Sequence, residues 1–159
     1  NRTGRIFTGD RSGDFLFASL HRTRYANKPT SEHRDDGLTL TGAYVAAVNR
    51  CAPPANKPTP DERDNCLPYL VREIAALVRI GAIVALGQYA WDGALLAIAQ
   101  LGHPTPRPKP KFGHGVEVKI GPYVLLGCYH PSQQNTFTGV LTGEMMDAVF
   151  VRARACAGA

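Results

Sequence analysis

The chain has 159 residues, 44% of them hydrophobic and 19% charged, which is apolar material for one buried core in a single domain spanning 1–159. No apolar run reaches membrane-spanning length and no basic-then-apolar signal pattern opens the chain, so the sequence predicts a soluble intracellular protein with no membrane partner. A net charge of +5 fits an anionic partner without identifying it.

The opening, "NRTGRIFTGDRSGD", begins in the middle of a glycine- and arginine-rich loop with no initiator Met and no preceding strand, which predicts an N-terminal truncation. "GDFLFASLHRTRYA" places Phe15, Leu16, Leu20 and Tyr25 at helical spacing, with Asp14 as the expected N-cap. "SEHRDDGLTLTG" reads as a polar loop, and "AYVAAVNRC" as a buried strand ending at Cys51. "APPANKPTP" must be irregular, because its prolines lack backbone donors. Thr59, Pro60, Asp61 and Glu62 then open a helix that continues through "CLPYLVREIAALVRI", with Pro68 kinking it or delaying its regular part.

"AIVALG" suits a parallel strand, "QYAWDGALLAIAQLG" a helix, and "HPTPRPKPKFGHG" a basic, proline-rich loop. "VEVKIGPYVLLGCY" gives two strands about Gly121-Pro122, and "TGEMMDAVFVRARAC" the last helix. Strands alternating with helices indicate an α/β sandwich with a mostly parallel sheet, whose ligands bind beyond the carboxyl ends of the strands. The loops after Cys51, Gly87 and Tyr129 leave such ends.

The last of these, "HPSQQNTFTG", gathers side-chain donors and acceptors around His130. A lone histidine at a strand end is more often structural. Here Pro131 stiffens the exit, and Ser132, Gln133, Gln134 and Asn135 can meet a phosphate or a base edge. That balance favours function. "RIFTGDRSGD" reads blandly as a glycine loop whose acids serve the next helix dipole; functionally, Phe7 could stack on a planar ring and Asp10 orient water. Cys51 and Cys66 have fourteen residues between them. With no CxxC among the four cysteines they read, unaided, as half a metal site or as two ordinary thiols.

Taken together and in order, "NRTGRIFTGDRSGD", "NRCAPPANKPTPDERDNCLPYL", "IVALG" and "HPSQQNTFTG" resemble the B-type, family 5 uracil-DNA glycosylases, iron–sulfur members of the uracil-DNA glycosylase superfamily. The resemblance implies a three-layer α/β/α sandwich, a [4Fe–4S] cluster held by four cysteines, and excision of uracil and other deaminated or modified bases from DNA. Cys51 and Cys66 match the third and fourth cluster ligands. The first two, a CxxC pair, and the first central strand with its "GLAPA"-like motif are expected upstream of this chain. "AYVAAVNRC" and "AIVALGQ" should therefore not pair directly, with a slot of roughly 10 Å, two strand spacings, between them.

The resemblance also assigns roles. His130 would donate to uracil's O2 and stabilise the departing anion, and Phe7 would stack on the flipped base. Ala47 stands where A-type relatives carry an asparagine that reads the uracil edge, so a broader substrate range follows, with Asn56 taking part of the base contact. Asp10 would position water or stabilise the cationic sugar, with Asp14, which looks more like a helix cap, as the alternative. Ser132 would meet phosphate, Gln134 and Asn135 DNA or base, and Phe137 would wedge into the stack. The expected partner is DNA, acted on by a monomer in the cytoplasm, at the nucleoid. Lysines and arginines of "RPKPKFGHG" add nonspecific phosphate attraction or form a solvated loop. The rival readings are a non-catalytic DNA-binding remnant of the same superfamily and a nucleotide-binding α/β domain; the second lacks any GxGxxG or Walker loop after a strand.

Overall fold

The computed structural model describes residues 3–51, 53–54 and 57–158. In chain order the elements are α1 (Arg11–Arg22), α2 (Pro60–Ala76), β1 (Ala82–Leu86), α3 (Gln88–Gln100), β2 (Glu117–Ile120), β3 (Tyr123–Cys128), α4 (Gln133–Phe137) and α5 (Gly143–Cys156). They are distributed over two compact units, one of residues 1–45 and 129–152, the other of residues 46–128 and 153–159. The expected α/β architecture is present.

The second unit holds the sheet. Thr59 caps α2 through a reciprocal box with Glu62, and Pro60 occupies a position where its missing N–H costs nothing. The helix runs through Pro68 and ends at Ala76, four residues before the Ile80 the sequence pattern suggested. Strand β1 pairs with β3 in parallel, from Ala82 opposite Val124 to Leu86 opposite Cys128. β2 pairs with β3 antiparallel, closing the expected hairpin. The order β1-β3-β2 makes a small mixed sheet. Between β2 and β3, Gly121 has φ 58, and a side chain there would strike the His103 ring, so only glycine fits this turn. Leu67, Leu70 and Ile74 of α2, Trp91, Leu95 and Ile98 of α3, and Leu125 of β3 bury together as the core. The Trp91 indole N–H donates to the Pro110 carbonyl at 3.1 Å, so its polar edge is satisfied inside that core.

The strand expected at "AYVAAVNRC" does not form: residues 43–51 belong to no ladder among the described residues. Ala46 and Val48 instead pack sideways onto the core. Gly93 of α3 admits Val48, since a Cβ on that glycine would stand 2.6 Å from the Val48 Cγ2. A short apolar run looks the same whether it serves a ladder or such packing. β1 and this segment do not pair, as expected, but with no second strand the anticipated slot has no meaning.

In the first unit, α1 begins three residues before the expected Asp14 cap. Asp10 is the cap: its backbone is extended at φ −143, and its Oδ1 accepts the Gly13 N–H at 2.8 Å. Asp14 lies in the first turn and serves the dipole. Gly13 is buried, and a Cβ there would overlap the Phe7 carbonyl. The glycine is what lets the N-terminal loop close on α1. Gly13→Ala is expected to destabilise by about 1–3 kcal/mol, the usual range for overpacking, read as a lower denaturant midpoint at unchanged slope. Helices α1 and α5 are joined by Asp147, which accepts from Ser19 and from both Arg22 Nε, at 2.7 Å, and Arg22 Nη2, at 2.9 Å. Tyr25 meets Phe150 edge-on, with ring centroids 6.1 Å apart.

Candidate active site

His130 lies two residues beyond β3, half-buried. Its ring is 5.6 Å from that of Phe7, centroid to centroid, with the planes inclined by 37°. Two residues distant in sequence, and singled out separately, thus meet in the first unit. Burial pushes the His130 imidazole below its ordinary value, while the nearby Asp10 carboxylate pulls the other way. The ring is accordingly neutral at neutral pH, with one N–H to donate.

The sign of the linkage follows. A histidine whose folded pKa is depressed contributes stability that is fully present above the unfolded value of about 6.5 and is lost as pH falls through the folded one. His130→Gln is expected to lose that segment of the acid-side dependence, so the gap in Tm between the two proteins should change between about pH 7 and pH 5 and be constant above pH 7.

Phe7 has φ 52, a left-handed conformation that costs a non-glycine residue on the order of 1–3 kcal/mol and persists only where its surroundings enforce it. Those surroundings are polar and dense. Arg5 donates from Nη1 to both oxygens of Asp36, at 3.0 and 3.1 Å, and to Ser31 Oγ at 2.9 Å, and from Nη2 to the Arg34 carbonyl. The Thr8 and Ser31 hydroxyls lie 2.6 Å apart, and the Arg34 N–H donates to the Thr3 carbonyl. Burial of Asp36 would raise its pKa, but the N–H groups of Glu32, Leu38 and His33 and the Arg5 guanidinium outweigh it and hold the carboxyl well below the usual range. "SEHRDDGLTLTG" is therefore more than a polar loop. An Asp before a Gly signals a turn, and nothing in the sequence says that its carboxylate faces inward.

After His130 the chain turns into α4. Ser132 is its N-cap, accepting the Asn135 N–H at 3.4 Å, and the Asn135 side-chain amide donates to the His130 carbonyl at 2.9 Å. Both side chains, expected to face DNA, also shape the loop that carries His130. Gln134 is exposed. Phe137 is 66% exposed, and the Arg11 guanidinium stands 5.4 Å over its ring. Sequence reasoning missed Arg11 altogether.

The second unit carries the cysteine site. Cys51 is exposed and Cys66 half-buried, and both line one open cavity of about 640 Å³ with Arg50, Tyr69, Arg72, Glu73 and Ala76. The Arg50 N–H points at Cys66 Sγ from 3.4 Å, and the Arg50 guanidinium pairs with Glu73 at 2.6 Å. The common site was expected; its setting was not. Cys51 follows no strand, and Cys66 is the seventh residue of α2 rather than within its first turn. Among the described residues no three His, Cys, Asp or Glu side chains group as metal ligands. Two thiols opening on one cavity are the donor type a metal cluster takes. Cys128 does not compete: it is wholly buried, and burial pushes its thiol up to about 12.

Residues 1–153 match the family model described as the Uracil DNA glycosylase superfamily. The chain is 48% identical to a type-5 uracil-DNA glycosylase of Mycobacterium leprae, over 99% of this chain and 68% of that protein. The chain belongs to the uracil DNA glycosylase superfamily, in its type-5 branch. It is also 52% identical to the Mycobacterium bovis type-5 protein, over 99% of this chain and 58% of that one, and 44% identical to the Thermus thermophilus protein, over 99% and 70%. It thus spans little more than half the length of the Mycobacterium bovis relative.

Within this superfamily chain, Phe7, Asp10, His130, Ser132, Gln134, Asn135 and Phe137 all fall in the first unit and Ala47, Cys51 and Cys66 in the second. Ala47 is half-buried between the two residues that pack on the core, and Asn56 lies outside the described residues. The basic loop is not a free tail: Lys109 binds Asp92 at 2.7 Å, and Phe112 meets Trp91 edge-on. Lys111 remains exposed. Among the described residues no helix is long and apolar enough to cross a membrane.

Proposed function

We propose that this superfamily member hydrolyses the N-glycosidic bond of uracil, and of other deaminated or modified bases, flipped out of DNA, as a monomer acting at the nucleoid. The observation that carries the reading is the contact of Phe7 with a half-buried, neutral His130. At 5.6 Å the two rings leave no room for a base between them. The base therefore stacks on the free face of Phe7, with the His130 N–H meeting an oxygen at its edge. Cleavage sends the bonding electron pair to the base. A donor already aimed at the oxygen that gains charge needs no reorganisation when the charge arrives. Water, oriented by Asp10, then adds to the cationic sugar carbon and loses one proton to bulk solvent, which returns one to the released base anion. One Asp10 oxygen is engaged by Gly13, which fixes the carboxylate's direction.

Outside the pocket, Phe137 wedges into the stack with Arg11 bracing it, and Ser132, Gln134, Asn135 and Lys111 serve the DNA backbone. Cys51 and Cys66 supply two thiolates to a [4Fe–4S] cluster whose role is to hold the irregular connection between them. The test is single-turnover release of base from duplexes containing uracil or hypoxanthine by the full-length protein. Intact duplex after long incubation would favour the non-catalytic DNA-binding reading. Specificity has its own test: Ala47→Asn should introduce an edge-reading amide and raise the uracil-to-hypoxanthine rate ratio, whereas an unchanged ratio would remove position 47 from base recognition.

A further inference from the structure

We propose that Asp36, acting through Arg5, is a positioning residue that sets the Phe7 ring against His130. The inference rests on the base-pocket reading of those two rings and adds a device to it.

Three observations converge. First, Phe7 holds a left-handed backbone at φ 52 with no glycine to relieve it, so something outside the residue must enforce that conformation. Second, the chain on both sides of it is tied to one distant loop: Arg5, two residues before, to Asp36, Ser31 and the Arg34 carbonyl, and Thr8, directly after, to Ser31. Third, the anchor is built to stay fixed. The Asp36 side chain is only 2% exposed, and besides Arg5 it accepts the N–H groups of Glu32 at 2.7 Å, Leu38 at 2.9 Å and His33 at 3.3 Å. Lys28 closes the same turn by donating to the Asp36 carbonyl at 2.8 Å. A carboxylate so thoroughly bonded has no lone pair to offer a substrate, which makes it a fixture and not a reactant. The planar guanidinium is what transmits the position, because its fork reaches Asp36 and the Arg34 carbonyl in fixed directions that a lysine cannot reproduce.

The test uses the full-length protein with Asp36→Asn, Arg5→Lys, Phe7→Ala and the double variant Asp36→Asn with Phe7→Ala. The His130 imidazole resonances sense the ring current of Phe7, so they report the juxtaposition without any catalysis. Asp36→Asn should move them toward their positions in Phe7→Ala. It should also slow single-turnover excision by about a hundredfold, the scale expected for a misplacement near 1 Å, while affinity for an uncleavable duplex is kept. The double variant should be no slower than Phe7→Ala alone. Arg5→Lys leaves the backbone donors to Asp36 in place, so it gives the same directions of change should Asp36→Asn fail to fold. Unmoved His130 resonances, or rate losses that multiply in the double variant, would overturn the proposal. If Phe7→Ala itself excises at the wild-type rate, the base-stacking role of Phe7 fails, and the resonances alone still decide whether Asp36 sets the ring.

Discussion

His130→Ala should slow base excision by about a hundredfold to a thousandfold, the usual cost of removing one preorganised donor from a developing anion. The competing cost, through stability, is much smaller. His130 is half-buried and lies outside both the sheet and the core, so its removal forfeits mainly one ring contact with Phe7. An aromatic pair of that kind contributes about 0.5–1.5 kcal/mol, too little to unfold a domain of ordinary stability. The loop itself persists, because Asn135 holds the His130 carbonyl and not its side chain. The expected signature is therefore a normal melt with a collapsed single-turnover rate on uracil opposite guanine. His130→Gln, which keeps a donor of different reach, should fall between the two. A wild-type rate in the alanine variant would remove His130 from the chemistry and leave it as a packing residue beside Phe7.

The parts of this architecture legible in sequence are those written in local, periodic signals. Thr59-Pro60-Asp61-Glu62 announced α2 because capping chemistry is confined to four neighbours, and the alternation across Gly121 announced the β2–β3 hairpin for the same reason. His130, Phe7 and the two cysteines stood out as residue types too reactive or too large for their loops. What escaped depends on distant partners. "AYVAAVNRC" is as apolar as a strand, and only the Gly93 notch on α3 shows that its side chains pack sideways. Asp10 and Asp14 are equally good caps on paper, and the choice is made by Gly13 folding under the Phe7 carbonyl. Asp36 was invisible for the strongest version of this reason: whether a loop carboxylate is solvated or buried against an arginine 31 positions away is settled only by tertiary structure.

The second large effect concerns the cysteines. Full-length protein purified without oxygen should be brown, and Cys51→Ala or Cys66→Ala should each abolish the charge-transfer absorption. Cys51 and Cys66 would hold cluster iron as thiolates, so replacing either would leave the cluster short of a ligand. Position supports the pairing: both thiols line one cavity, and the Arg50 N–H points at Cys66 Sγ from 3.4 Å. The internal controls are equally specific. Cys128→Ala should stay brown, because a thiol buried completely and pushed up to about 12 is protonated and out of reach of any ligand. Cys156→Ala should stay brown because that residue lies at the far end of α5 and lines no part of the cavity. Since a structural cluster contributes its binding energy to folding, the colourless variants should also melt earlier. Colour surviving in both alanine variants, or a colourless wild-type protein with full activity, would leave Cys51 and Cys66 as two neighbouring thiols on an arginine-lined cavity.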